Sequence, residues 1–150
     1  PLHDEYFTAS SGNGARMNKK QIFVSGTKAF EDAIFATGFP FRCKDRFPAY
    51  QESFSKLFYK IGGMRRLGSA ALDLCYVACG RYDGYWEVGL QVWDSAAASL
   101  IVAEAGGRVT DFKGADSYLQ TGDTLAGNPL MHKHALKIIR QIPALQKKPL

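Results

Sequence analysis

Glu87 and Asp94 are the residues of this chain best placed to do chemistry. These two carboxylates stand seven positions apart at the head of WEVGLQVWDSAAASLIVAEAGGRVTDF, Trp86 to Phe112, a stretch otherwise rich in small and apolar residues. A lone acid at a helix start is ordinarily a cap: it satisfies a free amide and meets the positive end of the helix dipole. A lone acid at a strand end is ordinarily a surface charge. Here Glu87 closes a strand pattern and Asp94 opens, and is expected to cap, the next helix pattern. Strand ends and helix starts along one edge of an α/β sheet form the crevice where ligands bind. A second helix start, Gly68-Ser69-Ala70, offers backbone N–H groups to the same cleft.

The elements that must hold these residues follow from periodicity. Residues 5–26 read as a hairpin, with β-rich runs at Tyr6–Ala9 and Gln21–Val24 around Gly12, Asn13, Gly14 and Asn18. Residues 33–39 are a short continuous apolar run ended by Gly38 and Pro40, which predicts a buried strand. In 47–63, Tyr50, Phe54, Leu57, Phe58 and Ile61 fall on helical spacing. Residues 69–80 and 94–106 are apolar on nearly every side and predict two deeply buried helices, covered on both faces. Ser69 is the expected cap of the first of these and Gly80 its stop. Short strands are expected at 82–89, 108–112 and 125–128. Asn128-Pro129 opens an amphipathic helix with Met131, Ala135, Ile138, Ile139 and Ile142 inward and Lys133, Lys137 and Arg140 outward. His132 and His134 on that helix point to different faces and are not expected to bind metal together. This alternation predicts a layered α/β architecture.

Composition sets the outer bounds. With 150 residues, 46% of them hydrophobic, the chain is long enough for one globular core. No apolar run approaches the roughly 18 residues of a membrane span. The first residues have no basic segment followed by an apolar one, so no secretory signal is read there. The net charge of +5 suits anionic ligands or acidic surfaces as well as plain solubility. The cysteines, Cys43, Cys75 and Cys79, are odd in number and form no CxxC pair, which fits a reducing, cytoplasmic setting.

Residues 68–112, GSAALDLCYVACGRYDGYWEVGLQVWDSAAASLIVAEAGGRVTDF, carry a specific resemblance. Trp93-Asp94 through Glu104-Ala105-Gly106-Gly107 to Asp111 is similar to the WDxAAxxxIxxEAGGxxxD signature of the inositol monophosphatase family. Gly68 to Glu87 resembles its upstream GSAAxDLxYVAxGRxDGxxE, and DEYFTASSGNGARMNKKQIFVSG, ATGFPF and LAGNP match in order. The resemblance covers nearly all 150 residues. It implies a layered αβαβα sandwich of the sugar-phosphatase type. The activity it implies is Mg²⁺-dependent, lithium-sensitive hydrolysis of a small polyol or sugar phosphate monoester such as inositol 1-phosphate. It implies further that Asp94 binds metal, that Glu87 holds a substrate hydroxyl, and that Gly68, Ser69 and Ala70 line the sugar pocket. Arg65 and Arg66 are possible substrate-side or subunit-interface charges, or a solvated pair. Glu104 and Asp111 match the signature in what are expected to be structural roles, and Asp83-Gly84 a tight turn. Trp86 stands where the family pattern has Phe or Tyr, and Ala98 where it has Gly.

The family's other metal ligands, a Glu and the acids of a DPxDGTxxF motif, have no counterpart here. The chain is therefore expected to be the C-terminal portion of such an enzyme: 1–26 a hairpin closing the N-terminal sheet, 27–150 the C-terminal α/β layer. No residue of this chain alone is assigned a catalytic role, because magnesium needs an octahedron of oxygens, usually with more than one carboxylate. The expected partners are a polyol phosphate, the N-terminal half of the same enzyme and a second copy in a homodimer, with neither membrane nor nucleic acid. Two alternatives stay open. One is the same fold acting on fructose 1,6-bisphosphate, a nucleotide 3′-phosphate or histidinol phosphate, with Glu87 and the loop Phe39–Arg46 deciding. The other is a non-catalytic basic module binding RNA or an acidic protein.

Overall fold

Two turns build the first element. The computed structural model describes residues 4–146; residues 1–3 and the tail lysines Lys147 and Lys148 lie outside the described residues. Gly12 and Gly14, at φ +77° and +76°, carry the chain from β1 (Phe7–Ala9) into β2 (Ala15–Met17). Asn18 and Lys19, both at positive φ, then make a two-residue turn into β3 (Lys20–Ile22). The expected hairpin is thus a three-stranded antiparallel sheet in the order β1-β2-β3. Its middle strand, Ala-Arg-Met, is too short and mixed to stand out from the loop residues around it.

The remaining strands form one mixed sheet. They are β4 (Ile34–Thr37), β5 (Gly63–Arg65), β6 (Gly84–Glu87), β7 (Arg108–Thr110) and β8 (Thr124–Gly127), in the order β5-β4-β6-β8-β7. β4 runs parallel to β5 and β6, and β8 antiparallel to β6 and β7. Successive side chains of a strand point to opposite faces, so this sheet has two cores. Ala36, Tyr85 and Ala126 face α2 (Ala70–Ala78) and α3 (Val92–Glu104), where Leu74, Val77, Ala98 and Val102 are buried with them. Phe35, Trp86 and Leu125 face the other way, toward α1 (Phe47–Phe58) and a later helix over Pro129–Ile139. A four-residue helix, α4 (Tyr118–Thr121), lies in the loop before β8, and the Pro129–Ile139 helix is α5. Its cap is as expected: Asn128 Oδ1 accepts from the N–H groups of Leu130 and Met131. Trp86 is fully buried, stacks on Tyr50 and donates Nε1–H to Ser53 Oγ at 3.1 Å, so its indole polar atom is satisfied.

The small sheet packs on the far side of the α2–α3 layer. Ala15 and Ile22 join the same core, Val24 N–H bonds Ala105 O, and Glu104 accepts from Gly12 and Gly14 N–H at 2.8 Å each. The molecule is an α/β sandwich of small sheet, helix pair, large sheet and helix pair. The two apolar helices are covered on fewer sides than their composition predicts. Leu72 on α2 and Val92, Trp93 and Leu100 on α3 are exposed among the described residues, because the small sheet reaches only part of this surface. Asp111 takes the structural place expected of it, gathering Lys113 N–H, Ala115 N–H and Ser117 Oγ–H into one turn. Asp83 does more than start a turn: it accepts from Ser25 Oγ and from Ile34 N–H, tying β4 to β6.

Candidate functional site

A cleft of about 430 Å³ opens at the C-terminal ends of β4 and β6. Glu87, the last residue of β6, and Asp94, in the first turn of α3, both line it, as do Gly68, Ser69 and Ala70. Arg66 lines it too; Arg65 instead turns Nη1 back onto the Met64 carbonyl at 2.9 Å. More of the wall comes from Gly38, Phe39, Pro40, Phe41 and Arg42, which follow β4 directly, from Trp93, and from the residues just after Glu87 and Ala70.

Local structure explains each position. Parallel pairing sets Thr37 beside Trp86, so Gly38 falls next to Glu87 at the sheet edge. Tyr85, two residues before Glu87 and on the same face, donates its hydroxyl to Glu87 Oε2. Burial raises the Glu87 pKa; the Tyr85 hydrogen bond opposes this, the Asp94 charge adds to it, and Arg66 and Arg42 oppose it. Across the cleft, Ser69 caps α2, its Oγ accepting weakly from Leu72 N–H at 3.4 Å. The preceding N–H groups of Ala70 and Ala71 have no intrahelical acceptor and lie at the positive end of the helix. The Arg66 guanidinium sits over the rings of Phe39 and Phe41, 5.5 and 5.9 Å from their centroids.

Asp94 corrects one expectation. The cap of α3 is Gln91, not Asp94, and Asp94 is the third residue of the helix in a reciprocal capping box. Its Oδ2 accepts from Gln91 N–H at 3.0 Å and from Arg42 Nη1–H at 2.8 Å. Both bonds end on one oxygen, which leaves Oδ1 for a ligand. The Arg42 side chain is 63% exposed, and a surface pair of this kind is worth about 0–1 kcal/mol. A cation therefore competes with Arg42 at little cost. Among the described residues no three or more His, Cys, Asp or Glu side chains converge to hold a metal ion. The donor set fits one ligand of a magnesium shell and does not complete one.

Arg42 lies in no matched motif, and Gly38, inside the matching ATGFPF, was given no role there, although the loop Phe39–Arg46 was expected to face the ligand. Arg42 meets Asp94 from 52 positions away, a distance no periodicity spans. The same loop is anchored by Arg46, whose guanidinium makes a two-pronged bond to Asp123 at 2.6 and 2.7 Å. Burial works against the Arg46 charge, and the hydrogen bond and charge of Asp123, with the smaller effects of Cys43 and Asp45, together outweigh it. His132 lies in the core with Nε2 2.9 Å from Thr110 Oγ1, while His134 is exposed and stacks on Phe30. The two histidines thus face apart.

Strand-end acid, helix-start carboxylate and capped N-terminus around one cleft place this chain among layered α/β proteins with a ligand crevice at the strand ends. The model of the inositol monophosphatase family matches residues 1–144, and the chain belongs to that family. It is 47% identical over 142 residues to the protein named Nus factor SuhB of Pseudomonas aeruginosa, covering 93% of this chain and 52% of that one. Nus factor SuhB of Escherichia coli K12 is 46% identical over 140 residues, with the same coverage. Among solved structures, the extragenic suppressor protein suhB of Bartonella henselae superposes with a TM-score of 0.89 at 39% identity, over 93% of this chain and 54% of that one. The inositol monophosphatase of Anabaena does so at 0.86 and 38%, over 96% and 57%. The chain spans about half the length of the curated relatives it matches.

Proposed function

We propose that this chain supplies the hydroxyl-binding wall and one metal ligand of a Mg²⁺-dependent phosphatase acting on small polyol or sugar phosphate monoesters of the inositol 1-phosphate type. The observation that carries this reading is the meeting of Glu87 and Asp94 in one cleft with the α2 N-terminus. Glu87, held through Oε2 by Tyr85, accepts hydroxyl protons of the polyol on its other oxygen. That is orientation of the substrate rather than proton transfer. The N–H groups of Ala70 and Ala71 face substrate oxygens at the positive end of α2, and Arg66 and Arg42 lower the cost of bringing an anion into the cleft. Asp94 offers Oδ1 to the metal. Magnesium, when bound, supplies charge neutralisation and an activated water. The acids that complete its shell come from the part of the longer family proteins that this chain does not span, so the chain alone is inactive. Lithium sensitivity, a homodimer and a cytoplasmic location belong to the same reading; no helix among the described residues is long and apolar enough to cross a membrane.

The test is hydrolysis of inositol 1-phosphate with Mg²⁺ by the protein containing this chain together with those acids. Asp94→Asn lowers kcat by at least about 100-fold, since even outer-shell changes at metal sites cost roughly 10–100-fold. Glu87→Gln raises KM about 10-fold or more with kcat nearly kept, as hydrogen bonds to charged groups are worth about 1.5–3 kcal/mol. Full activity in Asp94→Asn refutes the reading. A panel including fructose 1,6-bisphosphate, a nucleotide 3′-phosphate and histidinol phosphate separates the same-fold alternatives.

A second reading rests on the relatives' own name. They are called a Nus factor rather than a hydrolase, and this chain carries a net charge of +5. A basic binding role without hydrolysis predicts retention of RNA or an acidic protein that weakens steeply with salt. Salt-independent behaviour together with hydrolysis excludes it.

A further inference from the structure

Gly38 is buried, yet its backbone does not need glycine: its φ lies outside the left-handed region. What it needs is the missing side chain. A Cβ built there falls well inside van der Waals contact of Glu87 Cδ and of both carboxylate oxygens. The parallel register explains this, because Thr37 pairs with Trp86 and the next step sets position 38 beside Glu87. Thr37 Oγ1 also donates to Trp86 O at 2.8 Å, locking the two strands at that point.

Other close-packed glycines either meet different obstacles or, as at Gly68, Gly89 and Gly114, meet the side chains of Arg66, Cys43 and Arg140 but sit at positive φ, where the backbone itself favours glycine. A Cβ at Gly84 would strike the core ring of Phe35, and one at Gly62, Gly122 or Gly127 would strike backbone atoms. Those positions serve the fold. At Gly38 the nearest atoms in the way are the far end of a flexible side chain, and that end is the carboxylate facing the cleft. A methyl group there meets the Glu87 carboxylate first and pushes it off the buried Tyr85 hydroxyl.

We propose that Gly38 is a positioning residue for substrate recognition: the space it leaves seats the Glu87 carboxylate against the Tyr85 hydroxyl and so fixes where substrate hydroxyls are received. Two walls define the seat. Tyr85 holds Oε2 from the same strand, and the bare Gly38 backbone receives the carboxylate from the neighbouring one. The kinetic consequence rests on the reading of Glu87 as the hydroxyl-binding acid; the seat itself does not.

The experiment uses the full-length protein with two independent readouts. In Gly38→Ala, the ¹³C carboxyl resonance of Glu87 shifts toward that seen in Tyr85→Phe, and the urea midpoint falls by about as much as it does in Tyr85→Phe, since both lose the buried hydroxyl's bond. KM for inositol 1-phosphate rises about 10-fold, the loss of one charge-assisted hydrogen bond, and kcat changes less. Glu87→Asp, one methylene shorter, raises KM by itself, and adding Gly38→Ala to it raises KM no further, because the retracted carboxylate no longer occupies the seat. An unshifted Glu87 resonance in Gly38→Ala overturns the proposal, as does a KM increase of equal size in the Glu87→Asp background. A shifted resonance with KM unchanged in both Gly38→Ala and Glu87→Gln overturns the reading of Glu87 and leaves the seat standing.

Discussion

Removing one buried titratable group should expose another whose effect it masks. Asp73 on α2 is 1% exposed, with Oδ1 lacking a hydrogen-bond partner among the described residues. Burial, and then the Glu87 charge, raise its pKa from 3.8 to about 7, with Arg66 opposing. His132 on α5 is equally buried, and burial, then the charges of Arg108 and Arg140, lower its pKa from 6.5 to about 4. The two act on stability with opposite sign. Folded Asp73 holds its proton more tightly than the unfolded chain does. Its stabilisation is fully present below about pH 4 and is lost as pH rises to about 7, a change of about 4 kcal/mol at 1.36 kcal/mol per pH unit. Folded His132 holds its proton more weakly. Its stabilisation is fully present above pH 6.5 and is lost as pH falls to about 4, a change of about 3 kcal/mol.

Between about pH 4 and 6.5 these slopes nearly cancel, so the pair makes little net pH dependence in the wild-type protein. Asp73→Asn keeps the shape and removes the titration. Its stability relative to wild type should rise by about 4 kcal/mol from pH 4 to 7.5, and the acid weakness of His132 should then stand uncovered. Urea unfolding at half-unit pH steps, with a constant dependence on denaturant, measures this directly. Stability curves for wild type and Asp73→Asn that run parallel across the range would refute the reasoning, for they would mean that Asp73 is ionised and solvated in the folded chain.

Three further outcomes follow from the geometry. Asp123→Asn strips a buried guanidinium of its two-pronged partner, Arg46 and Asp123 being 12% and 5% exposed; unfolding measurements should show a loss of about 3–5 kcal/mol. Where the protein stays folded, the same variant should release the loop carrying Phe39, Phe41 and Arg42, seen as faster proteolysis within 39–46. Glu104→Gln weakens the carboxylate bonds to Gly12 and Gly14 N–H that close the β1–β2 turn, so those two amides should exchange with solvent faster while α3 is unchanged.

The helices were legible because their ends carry chemistry of their own. Ser69, Gly80 and Asn128 each mark a boundary that the structure keeps. The buried strands were visible too, Ile34–Thr37 as a short apolar run and Gly84–Glu87 as an alternating pattern. What was hidden depends on pairing across the chain. The two-residue Asn18-Lys19 turn lies inside what reads as one loop, and α4 is too short to show a period. Asp94 looked like a cap because it follows Trp93 at an obvious helix start, but the helix begins earlier, at Val92, with Gln91 as its cap. In the site, Glu87 and Asp94 stood out as acids in an apolar setting. Arg42 and Gly38 did not, since the first matters only through a contact 52 residues distant and the second only through a parallel register.

The claim on which the account most depends is that Asp94 gives an oxygen to a metal ion in the cleft that Glu87 shares. Titration of the full-length protein with Mn²⁺ as a spectroscopic stand-in for Mg²⁺, followed by electron paramagnetic resonance, tests it without any substrate. Asp94→Asn should weaken binding by at least about 100-fold, beyond the roughly 10–100-fold cost of outer-shell changes, while Glu87→Gln leaves it within a few-fold of wild type. Equal Mn²⁺ affinity in Asp94→Asn and wild type would contradict the account.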